Sequence, residues 1–512
     1  MRKKYFVIVL LHLLFSSSLK AQLHDAKWLL CNGKNNLYSN IFLEFDTINS
    51  SPTIQITNTY IPMLLENASI CDVRGEFLFF TNGTRIFDKN FNFMAGGNLA
   101  PPLDTNGLAY GLAQRQGCMF LPWPNDTNKY LLLHTTKEFL LPMSYVGWIP
   151  SHVPIHLYAT VLDKSLNAGS GGIVSINQSI LFDTLCNSGG GLAVTKHANG
   201  RDWWIIVKKH YRNEYFKFLL SPSGIQLMGS QSIGLDYQVR LGEIYLFSPN
   251  GEILAGVIGA HNIALFNFDR CTGLLSNYQV LNNPNNANGG LEDLDFSSNS
   301  RYLYTPERLR IFQYDLLNIN TPGAVQSTQV LVADTQFVFS VCDSANNFVT
   351  YYPFGQLALN GKIYYPTNFT CNEVSYFESP DSAGLLSDFQ YGGLNIISYH
   401  AAAVPYFPNY RLGPVAGSVC DTLSVGVKEL QASQVLLYPN PNNGVFILQL
   451  DQSVLCGNLF IYSIDGKLVY SKKIKNENDV SIHLPSDISG GMYLLQLKSE
   501  RGVYSGKLLL NH

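Results

Sequence analysis

The amino-acid sequence predicts an all-β protein, and three observations carry that expectation. Between residues 22 and 427 hardly any segment shows the hydrophobic period of a helix. In its place, short aromatic and β-branched runs alternate with clusters of Gly, Asn, Asp and Pro, the pattern of strands and tight turns. A loose unit also recurs, in which a Gly or Asn turn enters one apolar strand, a break follows, and an aromatic strand ends in a polar turn. Composition narrows the class further. Charged residues make up 14% of the 512 residues, whereas 46% are hydrophobic and 12% aromatic. That is too apolar for a disordered chain and too poor in charge for a long coiled coil. With 34 basic and 37 acidic residues the net charge is −3, so no basic excess exists to track a phosphate backbone, and nucleic acid is excluded as a partner.

In chain order, Met1-Arg2-Lys3-Lys4 is followed by an apolar run from Tyr5 to Phe15 interrupted only by His12. The run falls well short of the ~20 residues that cross a bilayer. A basic start, a short apolar stretch and a small residue before Gln22 predict a secretory signal peptide over residues 1–21, cut between Ala21 and Gln22. No later run is long enough to span a membrane, so the mature chain is expected to carry no transmembrane helix.

The recurring unit begins at Gly75-Glu76-Phe77-Leu78-Phe79-Phe80 and returns at Gly200-Arg201-Asp202-Trp203-Trp204, Gly251-Glu252-Ile253-Leu254, Ser300-Arg301-Tyr302-Leu303-Tyr304 and Gly361-Lys362-Ile363-Tyr364-Tyr365. Each leads to an aromatic strand read as the outer one, at Phe87, Phe216, Phe266, Phe312 and Tyr376, with weaker copies ending at Phe45 and Tyr158. A propeller blade of four short strands takes ~40–50 residues. Residues 22–413 therefore fit a β-propeller of six to eight blades, with seven the best fit. Two tandem β-sandwiches are the alternative. Residues 414–432, punctuated by Pro414, Gly417 and Ser418, read as a linker.

Residues 433–512 read as a small antiparallel β-sandwich. Phe446, Leu448 and Leu450 alternate with Ile447 and Gln449, and Asp465-Gly466 forms a hairpin turn between Phe460-Ile461-Tyr462 and Leu468-Val469-Tyr470. Four pieces stand in order: Tyr438-Pro439-Asn440-Pro441 with Gly444, Ile464-Asp465-Gly466-Lys467, Gly490-Gly491-Met492-Tyr493, and Lys507-Leu508-Leu509-Leu510. These residues closely resemble the C-terminal sorting domain of cargo of the type IX (Por) secretion system of Bacteroidota. The resemblance implies recognition by the secretion machinery, passage across the outer membrane, and often removal of the domain with attachment to surface lipopolysaccharide. It implies nothing about the activity of the rest. Ala68–Gly83 with Met94 and Gly96-Gly97, and Phe407–Gly413, resemble secreted Bacteroidota propellers of the WD-like type, which gives a fold and a location only.

Candidate chemistry is sparse. None of the nine cysteines forms a C-x-x-C pair. Export permits disulfides, and Cys342 with Cys371, or Cys71 with Cys118, are candidate partners. No G-x-S-x-G, H-E-x-x-H or P-loop motif occurs, so no catalytic residue is named. Gly189-Gly190-Gly191 reads as a turn into a blade. Glu292-Asp293-Leu294-Asp295 with Asn299 offers oxygen ligands, but the spacing matches no known calcium loop, and a solvated turn is the plainer reading. No cofactor or metal is implied. Trp123, Trp148 and Tyr145 are the candidate ligand-binding residues, because Phe139–His156 reads as an irregular loop on a rigid scaffold. The expectation is a surface-attached or secreted propeller that binds a glycan or protein ligand. The alternative is an extracellular hydrolase or lyase acting on polysaccharide at the channel.

Overall fold

The computed structural model describes residues 22–421 and 436–511, apart from 31–39, 64, 100–110, 113, 137, 140–151, 154, 184, 186–190, 211, 237–243, 259–261, 283–290, 292, 308–309, 335–353, 367–370, 401–403, 455–456, 464–466, 476 and 500–501. Two compact units divide the chain, one up to Leu423 and one from Ser424.

The first unit is a propeller. Among the described residues, seven antiparallel sheets follow one another along the chain, the first with three strands and the others with four, and a two-stranded pair, Glu138–Phe139 with His152–Val153, lies between the second and third strands of the third. The first sheet runs Lys27–Leu30, Ile41–Glu44, Thr53–Ile56. The fourth shows the full pattern: Ala193–Lys196, Trp203–Lys208, Glu214–Ser221 and Gly224–Ser232 pair in that order. Aromatic contacts and hydrogen bonds join each sheet to the next. Phe42 meets Phe77 at 4.7 Å, Phe79 meets Phe120 at 6.5 Å, and Trp203 Nε1 donates to Pro122 O. Tyr215 meets Phe266 at 5.3 Å, Asn250 N donates to Ser300 Oγ, and Tyr304 meets Phe377 at 4.5 Å. The seventh sheet then meets the first through Tyr364 and Phe45 at 5.2 Å, which closes the ring.

Burial follows strand rank. From the second sheet onward, second strands are buried along nearly their whole length, as in Trp203–Lys208, Ile253–Ile258 and Tyr302–Pro306, because both faces pack against neighbouring sheets. The aromatic strands that the sequence marks as outermost are third in rank from the second sheet onward. A further strand lies outside each, and it is more polar and mostly exposed, as in Gly224–Ser232.

The opening turn of the sheets is a repeated device. Gly75, Gly200, Gly251 and Gly361 have φ between 71° and 87°, and Ser300 takes the same conformation at 63°. In each turn that residue's N–H donates to the carbonyl three positions back, as from Gly251 to Ser248 at 2.7 Å. An Asn side chain closes four of these turns, as where Asn299 Oδ1 accepts from Arg301 N at 3.0 Å, and Asp72 closes the turn at Gly75.

Residues 414–421, expected within the linker, run against the propeller. Val415 N donates to Ala198 O at 2.8 Å, and Cys420 is disulfide-bonded to Cys271. The proposed Cys71–Cys118 bridge does not form: both are buried free thiols, held in separate clusters of the core. Cys342 and the side chain of Cys371 lie outside the described residues.

The second unit is a two-sheet sandwich. Leu436–Tyr438, Val445–Val454 and Glu477–His483 form one sheet. Leu468–Ile474, Gly457–Ser463, Gly491–Ser499 and Gly502–Leu510 form the other. Phe446, Leu448, Leu459, Ile461, Leu495 and Leu508 fill the space between. The first and last motif pieces are bonded together: Asn440 Nδ2 donates to Lys507 O at 2.7 Å and Asn440 Oδ1 accepts from Leu509 N at 2.8 Å. Tyr493 OH donates to Ser489 O, and Lys467 follows a hairpin whose Asp465 and Gly466 lie outside the described residues.

Candidate functional site

After the seventh sheet the chain does not leave the ring. Residues 404–413 cross one of its faces, the face that carries the opening turns. Pro405 and Pro408 keep this segment extended, and Tyr406, Phe407 and Tyr410 are buried beneath it. Tyr410 OH donates to Phe120 O at 2.8 Å in the third sheet, and its ring packs edge-on against Trp203 of the fourth. Asn409 Nδ2 donates to Pro249 O beside the fifth, and Tyr406 OH to Asp293 Oδ2 ahead of the sixth. Phe407 N donates to Gln356 of the seventh, and Arg411 pairs with Asp25 at 2.6 Å just before the first. Arg270 fastens the end of the segment. Its Nη2 donates to Gly413 O at 2.6 Å and His197 O at 3.2 Å, and its Nε donates to Lys196 O at 2.9 Å.

One cavity opens beside the crossing segment, and a second opens among the opening turns of the same face. The first, about 400 Å³, is lined by Thr195, Ser248, Asn360, Phe407, Asn409 and Asp295. Its polar groups are mainly hydroxyls and amides. Asp293 and Asp295 are fully buried, which corrects the expectation of a solvated turn: the segment leads into the first strand of the sixth sheet and packs inside the ring. Asp293 accepts from Gly355 N at 2.9 Å and from Tyr406 OH at 3.2 Å. Burial raises the pKa of both carboxyls, and for Asp295 the neighbouring Asp293 charge raises it further. Gly355 is glycine for a packing reason, since a Cβ there would strike the Asp295 carboxyl.

The second cavity, about 410 Å³, lies between the opening turns of the third and fourth sheets and is lined by His24, Trp123, Tyr130, Lys196, Arg201 and Trp203. Trp123 is half-buried and fixed by an Nε1 bond to Pro222 O at 3.4 Å. Lys196 pairs across the strands with Trp203, and its ammonium sits 4.0 Å from the centre of that ring. Burial first, and then the charge of Arg270, lowers the Lys196 pKa to about 7, against an opposing pull from Asp202. His24 Nδ1 donates to Cys71 O at 2.7 Å, and burial lowers its pKa to about 4, so the ring is neutral.

Of the residues singled out in the sequence, Trp123 stands in the wall of this second cavity. Trp148 and Tyr145 lie outside the described residues. Sequence reasoning missed His24, Lys196 and Arg270. The one local signal for Lys196 is a lysine closing the short uncharged strand Ala193–Lys196.

Residues 436–511 match the family described as secretion system C-terminal sorting domain. The chain is a type IX secretion cargo. As such it is delivered to the cell surface or the extracellular space, and its sorting domain engages the secretion machinery. No helix among the described residues is long and apolar enough to cross a membrane. No curated protein matches the chain. Solved structures similar to the cargo include a putative 6-phosphogluconolactonase from Bacteroides fragilis, with 11% identity, a TM-score of 0.41 and coverage of 75% of this chain and 98% of that one. Another, from Bacteroides uniformis, shows 13% identity, a TM-score of 0.44 and coverage of 70% and 94%. The β-propeller domain of Cps50 (Swd1) from Myceliophteria thermophila shows 10% identity, a TM-score of 0.27 and coverage of 70% and 93%. Likeness at this level bears on neither activity nor ligand.

Proposed function

We propose that the propeller of this cargo is a binding module for an extracellular glycan, and that its binding surface is the face crossed by residues 404–413. The observation that carries the reading is the pair of cavities of about 400 Å³ on that face, one of them beside the crossing segment, lined by aromatic, hydroxyl and amide groups on a rigid ring. Sugar-sized openings of that chemistry favour ring stacking and hydrogen bonding. Apart from Asp295, the carboxylates nearby are already engaged: Asp25 pairs with Arg411, Asp202 with Arg201 and Asp126 with Lys129, while Asp293 is buried beneath Tyr406.

The second reading is an extracellular polysaccharide hydrolase or lyase. It is favoured by one observation, the raised pKa of Asp295 in the wall of the first cavity. Glycoside hydrolysis by two carboxyls needs both to face the scissile bond. Here Asp295 alone of the Asp293–Asp295 pair lines the opening.

A glycan array probed with residues 22–512, with peptides alongside and product analysis on each hit, tests both readings. Binding of intact glycans without cleavage is expected. Binding confined to peptides overturns the glycan assignment. Cleavage lost in Asp295→Asn establishes the second reading in its place.

A further inference from the structure

We propose that the cavity formed by His24, Trp123, Lys196 and Trp203 binds a sugar ring that carries a carboxylate, with the carboxylate on the Lys196 ammonium and the ring against Trp123. This deepens the glycan-binding reading and rests on it.

The argument starts from Lys196. Its side chain is 4% exposed and lines the cavity, yet among the described residues its ammonium has no hydrogen-bonded or ion-paired partner. Asp202, the carboxylate whose charge acts on it, is already committed. Arg201 holds Asp202 through Nε at 2.6 Å and Nη2 at 2.9 Å, and Asn199 Nδ2 adds a third bond at 2.8 Å. What Lys196 does have is the face of Trp203, which stabilises a cation but leaves its N–H donors unused. A buried cation without a counter-charge is costly, and its lowered pKa records that cost. An anion arriving through the cavity removes it.

The rest of the lining defines what carries the anion. Trp123 offers an indole held in place by its bond to Pro222, suited to the C–H face of a pyranose. His24 is fixed in one tautomer: a carbonyl cannot donate, so Nδ1 carries the proton bonded to Cys71 O, and Nε2 keeps a lone pair that can accept a sugar hydroxyl. A single lysine matches a single carboxylate. A phosphate dianion calls for more donors than this wall supplies, because the guanidinium of Arg201 is bound to Asp202.

The test uses residues 22–512 with a trigalacturonate trimer and its methyl-esterified form, which has the same rings without the charge. Calorimetry in two buffers of different ionisation enthalpy at about pH 7.5 reads affinity and proton exchange together. The acid form is expected to bind at least about ten-fold more tightly than the ester, with uptake of part of a proton as Lys196 regains its charge. Lys196→Met is expected to erase both the preference and the proton uptake, Lys196→Arg to keep the preference, and Trp123→Ala to weaken both forms. Equal binding of acid and ester, or a Lys196→Met protein that still takes up protons, overturns the proposal. So does binding of inorganic phosphate or a tetraglutamate peptide in place of the trimer. If neutral glycans bind on the array but no acid preference exists, this proposal falls and the glycan-binding reading stands. If no glycan binds, both fall.

Discussion

Replacing Arg270 with methionine tests whether the crossing segment is held as described. The guanidinium donates to three carbonyls at 3.2 Å or less: Lys196 O, His197 O and Gly413 O. A fourth contact, to Asn250 O at 3.5 Å, is marginal. Arg270 is 5% exposed and meets no carboxylate at hydrogen-bond range among the described residues, so this cation is held by backbone carbonyls, with the Glu252 charge acting on it from further off. A bond from a charged donor contributes roughly 1.5–3 kcal/mol net. Burial of the guanidinium argues for the lower end, so three such bonds sum to about 4–5 kcal/mol, of which Met recovers a little by filling the same space. The expected loss for Arg270→Met is about 3–5 kcal/mol. Arg270→Lys places one ammonium among three acceptors and should recover less than half of it. The assay is equilibrium urea unfolding followed by tryptophan fluorescence. All five tryptophans (28, 123, 148, 203 and 204) precede the sorting domain, so the signal reports the propeller alone. A loss below about 1 kcal/mol would refute the reasoning, since it would mean that water replaces the guanidinium at every carbonyl.

Three further outcomes follow from particular contacts. Gly251 and Gly361 occupy the same turn position, but a Cβ on Gly251 would strike Thr195 Oγ1 and crowd Leu412, whereas one on Gly361 would meet open space. Gly361→Ala should cost about 1–2 kcal/mol, the price of the left-handed conformation, and Gly251→Ala clearly more, by the same urea assay. Lys196 has a folded pKa of about 7, below its unfolded value near 10.5, so the folded state binds fewer protons between those values and its stability rises with pH across that window. Lys196→Met should flatten that slope, gaining most below about pH 7 and nothing by about pH 10.5; parallel wild-type and mutant slopes in urea titrations would contradict it. Asn440→Ala removes both side-chain bonds to the last strand and should destabilise the sorting domain by about 1–2 kcal/mol, seen as faster proteolysis of residues 436–511 with the propeller unchanged.

The layout of this cargo was legible because it rests on local chemistry. A turn such as Ser248–Gly251 is written in consecutive residues, and a second strand such as Trp203–Lys208 announces its burial by having no polar face. The outermost strands were not legible. Gly224–Ser232 has little burial to impose a pattern, so in the sequence the more apolar third strand reads as the edge. The candidate site was the least legible part. Its residues come together over separations of 290 for Tyr410 with Phe120 and 386 for Arg411 with Asp25, and no short-range period encodes such meetings. Asp293 and Asp295 show the same limit. Two carboxylates after a Gly-Gly pair read as surface, and only their position at the start of an inner strand reveals burial. The Cys271–Cys420 link could not be chosen over other pairings without knowing where residues 414–421 run.

The order of the parts along the chain has a consequence for synthesis. The crossing segment and Cys420 are the last pieces of the propeller to be made, and the sorting domain is made after both. Any product broken off earlier lacks the segment that ties the sheets together across the ring, and it also lacks the export address. The secretion machinery therefore receives only chains that already contain everything needed to finish the ring.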